Sequence, residues 1–318
     1  MNQFDSTSLE LGILDLVPSL AGVPAEEALR QSVHLALKGE EWGYRRYWTS
    51  EHHNLPGTES ASPELLLSHI GAKTNRIKLG SGAVLLPYHH PIRVAENYHM
   101  LASLYPGRIE LGVGRAPGGS AHLSMALAGN YLEKVARYPE LIKQLQELLH
   151  GRYSFDGEPI VAKPVPEIPP SLWLLGTNVK SAEYAAKFGT GYVFGQFMSE
   201  QDATEILQKY REQFIPSENL AEPKASVAVN VICAPSADEA HSWKEEALIL
   251  HRKAAGGITE VPSYPVITGN PKEVKQELLE LAHETGCNKI LISTRVASYE
   301  QRLLSYGLLG EEMNKELR

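Results

Sequence analysis

Leu79-Gly80-Ser81-Gly82-Ala83-Val84-Leu85-Leu86-Pro87-Tyr88-His89-His90-Pro91 decides the fold of this chain when it is read with two flanking blocks. Upstream stands Tyr47-Trp48-Thr49-Ser50-Glu51-His52-His53, and downstream Gly112-Val113-Gly114-Arg115-Ala116-Pro117-Gly118-Gly119. Each block is a short apolar run that ends in polar residues or glycines. Parallel strands that deliver chemistry to one rim of a barrel end in this way.

Outward from these blocks, apolar β-rich runs alternate with helical patterns along the whole chain. The strand-like stretches are 11–17, 46–49, 77–86, 109–113, 172–175, 192–194, 226–233 and 289–293. Helical spacing marks 26–42 behind Pro24, 139–149 with Leu141, Ile142, Leu145, Leu148 and Leu149, and 273–282 with Val274, Leu278 and Leu281. Strand-then-helix repetition requires a parallel sheet, and eight units point to closure. The expectation is an α/β chain folded as a single (β/α)8 TIM barrel, one domain over 1–318, with insertions after strands 4 and 7; an open doubly wound sheet is the competing architecture. The first insertion, 151–170, contains FDGEPI and KPVPEIPP and reads as a hairpin with a rigid lead into strand five. The second, 256–271, has two glycines and three prolines and reads as a long loop of the kind that forms lids.

Composition narrows the function classes. A net charge of -8 without Lys/Arg runs argues against a nucleic-acid or anionic-membrane surface. No apolar run has the length of a membrane span, and MNQFDSTSLELG lacks a basic segment followed by an apolar one, so the cytoplasm is the expected location. Cys233 and Cys287 lie in apolar runs without a CxxC and read as buried thiols. The histidines lack a carboxylate set at ligand spacing, so no metal is expected, and no GxSxG elbow occurs.

The rim residues carry the chemistry. His52 and His53 follow strand two, where a histidine serves as a general base or satisfies loop hydrogen bonds. Glycines in 79–86 mark a bulge where backbone approaches a flat ligand, or a tight barrel corner. Arg115 suits a phosphate or a pyrimidine carbonyl edge, or pairs internally with an acid. Gly176-Thr177-Asn178, with Ser181, opens a helix and forms either an anion site or an ordinary N-cap. Asp15 ends strand one among apolar residues and is either catalytic or pinned by hydrogen bonds. His89 and His90, between two prolines, read as loop structure.

In joint order, EHH, the glycine-bulged strand, GxGR and the GTN loop resemble the bacterial luciferase-like flavin-dependent monooxygenases over residues 11–307. The resemblance implies non-covalent binding of reduced FMN as co-substrate, reaction with O2 and transfer of one oxygen atom to a small organic substrate. It implies that His52 acts beside the flavin with support from His53. It places a cis peptide at Gly82–Ala83 beneath the ring, brings Arg115 to the FMN, sets the phosphate in the loop of Gly176, Thr177, Asn178 and Ser181, and aligns Gln196 with a luciferase tryptophan. It also implies a separate NAD(P)H:flavin reductase and a homodimer. Deazaflavin-dependent hydride transfer, a non-catalytic flavin-binding protein and a metal-dependent barrel hydrolase are the alternatives.

Overall fold

A computed structural model describes residues 9–20, 22–254 and 265–315. Among them, parallel strands pair in chain order: β1 (Glu10–Asp15), β2 (Arg46–Thr49), β3 (Lys78–Ser81), β4 (Ile109–Gly114), β5 (Ser171–Gly176), β6 (Gly191–Gly195), β7 (Ala225–Cys233) and β8 (Lys289–Ser293). Neighbours pair throughout, and Glu10–Ile13 of β1 pairs with Lys289–Ile292 of β8, which closes the barrel. Helices fill every interval, so the architecture is the expected (β/α)8 barrel.

Local chemistry explains the elements. The helix Tyr138–Leu149 buries Leu141, Ile142, Leu145, Leu148 and Leu149 as the spacing predicts. Pro271–Thr285 starts two residues before the expected segment because Asn270 forms a capping box: its Oδ1 accepts from the N–H of Lys272 and Glu273, and Glu273 reaches back to Asn270 N–H at 3.0 Å. Asp156 and Gly157, with φ of 49° and 85°, make the two-residue turn of the hairpin between Ser154–Phe155 and Glu158–Pro159.

The barrel interior is layered. At the N-terminal end Arg46 bridges Glu10 at 2.9 Å and the buried Glu110 at 3.2 Å. Above it Trp48 donates its indole N–H to Glu110 at 2.7 Å and meets Trp173 edge-to-face, with centroids 5.8 Å apart. Leu14, Val193, Phe197, Ala228 and Leu291 complete this apolar plug, which makes the barrel a filled core whose chemistry must lie at the rim above it.

The long loop expected at 256–271 requires a correction at its end. Residues 255–264 lie outside those described, but Val266–Gly269 is a strand parallel to Asn230–Cys233 of β7. Its four residues are too few for alternation to show, and the neighbouring glycines and prolines mask a Val-Ile-Thr run with strong β preference.

Candidate active site

Past Ser81 the chain leaves β3 and resumes pairing at Val84–Leu85, opposite Val113 and Gly114 of β4. Between them the Gly82–Ala83 peptide bond is cis, as the resemblance implies. Gly82 N–H donates to Thr49 O at 2.8 Å, and Ser81 Oγ donates to Gly112 O at 2.8 Å, so both neighbouring strands hold the bulge. The glycines themselves have a different cause from a ligand. A Cβ at Gly80 would lie 2.4 Å from the Trp48 indole nitrogen, and one at Gly82 would lie 2.6 Å from Leu14 Cδ1. They make room for protein inside the barrel, while Ala83 is the bulge residue that stands at the rim.

Glu51 organises this end of the rim. Its Oε1 accepts from Nε2 of His53 and of His89, each at 2.8 Å, and its Oε2 accepts from Leu85 N–H at 2.9 Å. Burial works to raise the carboxyl's pKa, but the hydrogen bonds from both histidines outweigh it and hold the pKa below the usual range. For His89 burial works downward, and the Glu51 hydrogen bond and charge prevail to raise its pKa. A single buried carboxylate therefore ties the EHH loop to the residues that follow the bulge. The sequence alone gives Glu51 no role of its own; its signal is a glutamate next to histidines with a second histidine pair on the following loop.

His52 is set apart from this cluster. Its Nδ1 lies 3.0 Å from Ser50 Oγ, and its backbone N–H donates to Ser60 O at 2.7 Å. Burial and then the charge of Arg295 push the imidazole down to about 4. The ring is neutral at pH 7, which suits a hydrogen-bonding group better than a strong base. His53 is engaged by Glu51, by Gly118 O through its N–H at 2.8 Å, and edge-on by Tyr88.

Asp15 has both oxygens committed. Oδ1 accepts from Val17 N–H and Arg302 Nη2, Oδ2 accepts from Tyr47 OH, all at 2.6 Å, and the residue is fully buried. Of its two sequence readings this geometry matches the pinned carboxylate, and Arg302, far away in sequence on Tyr299–Asn314, was not foreseen as its partner.

On the opposite side of the rim, Asn178 and Ser181 form the capping box of Val179–Lys187: Asn178 Oδ1 accepts from Ser181 N–H, and Ser181 Oγ accepts from Asn178 N–H at 3.3 Å while donating to Asn178 O at 2.6 Å. Gly176 exists for this serine, since a Cβ there would lie 2.1 Å from Ser181 Oγ. Ordinary capping thus accounts for these side chains, and Thr177 O accepts from Ser199 Oγ at 2.9 Å. Arg115 differs. Among the described residues it has no carboxylate partner, and its guanidinium lies 5.8 Å from the centroid of Tyr184, the same ring that Lys180 Nζ approaches at 5.9 Å. Two cations on one ring of a helix whose leading N–H groups precede any intrahelical bond fit a phosphate. Gln196, one residue past β6, has its Oε1 buried without a hydrogen-bond partner, as does Asn230 Oδ1 on β7. Unsatisfied buried acceptors of this kind fit a site completed by a guest.

A family description, luciferase-like monooxygenase, matches residues 9–286. The chain belongs to the luciferase-like monooxygenase family. A luciferase-like monooxygenase of Escherichia coli (strain K12) is 33% identical, over 95% of this chain and 96% of that one. The N-acetyl-S-alkylcysteine monooxygenase of Bacillus subtilis (strain 168) is 31% identical, over 95% and 98%. Among solved structures, apo-MsnO8 superimposes with a TM-score of 0.88 at 28% identity, covering 98% of this luciferase-like chain and 99% of its own. The family match ends just before β8, the strand whose pairing with β1 closes the barrel.

Proposed function

We propose that this chain is the oxygenase of a two-component system, which binds reduced FMN without a covalent link and uses O2 to oxygenate a small organic substrate. The observation that carries the reading is the pairing of the cis Gly82–Ala83 bulge with Arg115, a rim arginine that no carboxylate neutralises among the described residues. The bulge would face the flavin ring at Ala83, and Arg115 with Lys180 and the first turn of Val179–Lys187 would hold the phosphate. Glu51 fixes Leu85 N–H and His53, so it sets the height of the bulge relative to the EHH loop. His52, neutral at pH 7, would hydrogen-bond the substrate or the oxygen end of the reaction site. The flavin when bound supplies the electrons for oxygen activation, and the protein supplies position and exclusion of water.

The resemblance to the luciferase-like monooxygenases supports a separate NAD(P)H:flavin reductase as the source of reduced flavin. A homodimer and a cytoplasmic location remain parts of this proposal. The 31% identical N-acetyl-S-alkylcysteine monooxygenase makes S-substituted N-acetylcysteines the first substrate panel. The test is oxygen uptake with photoreduced FMN, with and without each member of the panel, with product identified by mass. Incorporation of one labelled oxygen atom from O2 supports the reading. Hydride transfer to a substrate without oxygen consumption would replace it with a dehydrogenase.

A further inference from the structure

Gln196 and Asn230 each carry a buried carboxamide oxygen that neither capping nor packing accounts for. The Oε1 of Gln196 and the Oδ1 of Asn230 are both enclosed and without a hydrogen-bond partner, and Asn230 is only 9% exposed. The other enclosed, unpartnered side-chain atoms among the described residues lie elsewhere. Those of Ser32, Tyr98, His99 and Arg302 are on helices outside the barrel, and Thr294 lies against Tyr306 of the last helix. Asn230 belongs to the interior. Ala228, two residues earlier on β7, is part of the apolar plug with Trp48 and Trp173, and alternation along a strand puts Asn230 on the same face one step nearer the mouth. In register, Ala228 stands beside Gly195, so Asn230 stands beside the turn that holds Gln196 and Phe197.

The chemistry of the Asn230 side chain is one-sided. Asn230 Nδ2 donates to Phe197 O at 3.4 Å, which assigns the other end of the amide as the oxygen. A carboxamide oxygen only accepts, and leaving it unpaired in a buried place costs on the order of 1–3 kcal/mol. We infer that Gln196 and Asn230 form an acceptor-only subsite for an N–H donor, an amide or imide group bordered by the apolar surface of Val193, Phe197 and Ala228. The inference deepens the oxygenase reading and rests on it, since the N–H belongs either to the flavin's own imide or to the substrate.

The test is direct binding to the full-length protein, in two arms. In the first, FMN and N3-methyl-FMN are titrated by flavin fluorescence. In the second, N-methylacetamide and N,N-dimethylacetamide are titrated into FMN-loaded protein by saturation-transfer NMR. A preference of tenfold or more for the N–H member in the first arm assigns the subsite to the flavin, and in the second to the substrate. That preference should fall to about one in Gln196→Ala and in Asn230→Ala, and Asn230→Asp, which keeps an acceptor oxygen, should retain it. Equal binding of both members in both arms, or a preference that survives both alanine substitutions, overturns the subsite. If FMN itself fails to bind, the oxygenase reading fails instead. The amide arm, run on flavin-free protein, then still tests the acceptor pair by the same ratio.

Discussion

Oε1 of Glu51 accepts Nε2 of His89 at 2.8 Å, and the same oxygen accepts Nε2 of His53, so one carboxylate oxygen joins two rim loops that follow different strands. With Leu85 N–H on Oε2, three N–H donors converge on an acceptor that is almost wholly buried. Glu51→Gln leaves one oxygen for those three donors and turns an NH2 toward at least one of them. Mispairing a buried charged network costs about 2–4 kcal/mol. The variant should therefore unfold at lower urea and bind FMN more weakly, because Leu85 is part of the segment that follows the bulge. Wild-type values for both the urea midpoint and FMN affinity would show that Glu51 does not hold this end of the site.

Ala83 offers a cleaner probe of the platform. Ala83→Val adds two methyl groups at a rim residue without disturbing the plug below, where Gly82 already abuts Leu14 and Trp48. FMN affinity should fall about tenfold or more, on the overpacking scale of 1–3 kcal/mol, while the melting temperature moves by a few degrees. Flavin titration by fluorescence quenching reads the first quantity and circular dichroism the second. Unchanged affinity in the folded variant would move the ring away from the bulge.

Phosphate recognition separates Arg115 and Lys180 from the residues of the cap. Each charge-assisted contact contributes about 1.5–3 kcal/mol, so FMN should bind at least tenfold tighter than riboflavin. Arg115→Ala should weaken FMN by a similar factor and leave riboflavin unchanged, with Lys180→Ala smaller because its charge is more exposed. Ser181→Ala should lower stability by about 1 kcal/mol, the scale of a lost cap, and shift both flavins alike. A phosphate preference that persists in both cation variants would place the phosphate elsewhere.

The barrel was legible because its signal is repetition. Trp48, Leu79, Leu111 and Trp173 sit in apolar runs at strand-helix intervals, and no single error in a boundary changes the count. The cis bulge was legible only through the resemblance, since the glycines that suggested it are explained by the volume of Trp48 and Leu14. Partners distant in sequence were not legible. Nothing local says that Asp15 is held by Arg302, or that Arg295 lies close enough to His52 to shift it. Capping and ligand binding use the same residue types at a helix start, so Asn178 and Ser181 could not be assigned until their hydrogen bonds were seen.

His52 yields a pH-dependent prediction whose sign follows from its surroundings. Burial first, and then the Arg295 charge, lower its pKa from the ordinary 6.5 to about 4 in the folded chain. Between those two values the unfolded chain binds a proton that the folded chain does not, so stability rises with pH across that window and is lost as pH falls through it. In His52→Gln that dependence is absent. The difference between the two proteins in urea-derived stability should be near its limit, on the order of 3 kcal/mol, below pH 4 and should level off above pH 7. His52→Gln is thus expected to be relatively more stable in acid. Catalysis gives a second reading of the same proton. A ring that stays neutral contributes no inflection to kcat between about pH 5.5 and 8, although His52→Ala should lower product formation about 10- to 100-fold, the scale of a lost buried hydrogen bond. It should also raise peroxide released per O2 consumed, measured with photoreduced FMN. A kcat inflection near pH 6.5 that disappears in His52→Gln would instead make His52 a titrating base, with its ring exposed or re-paired once the site is filled.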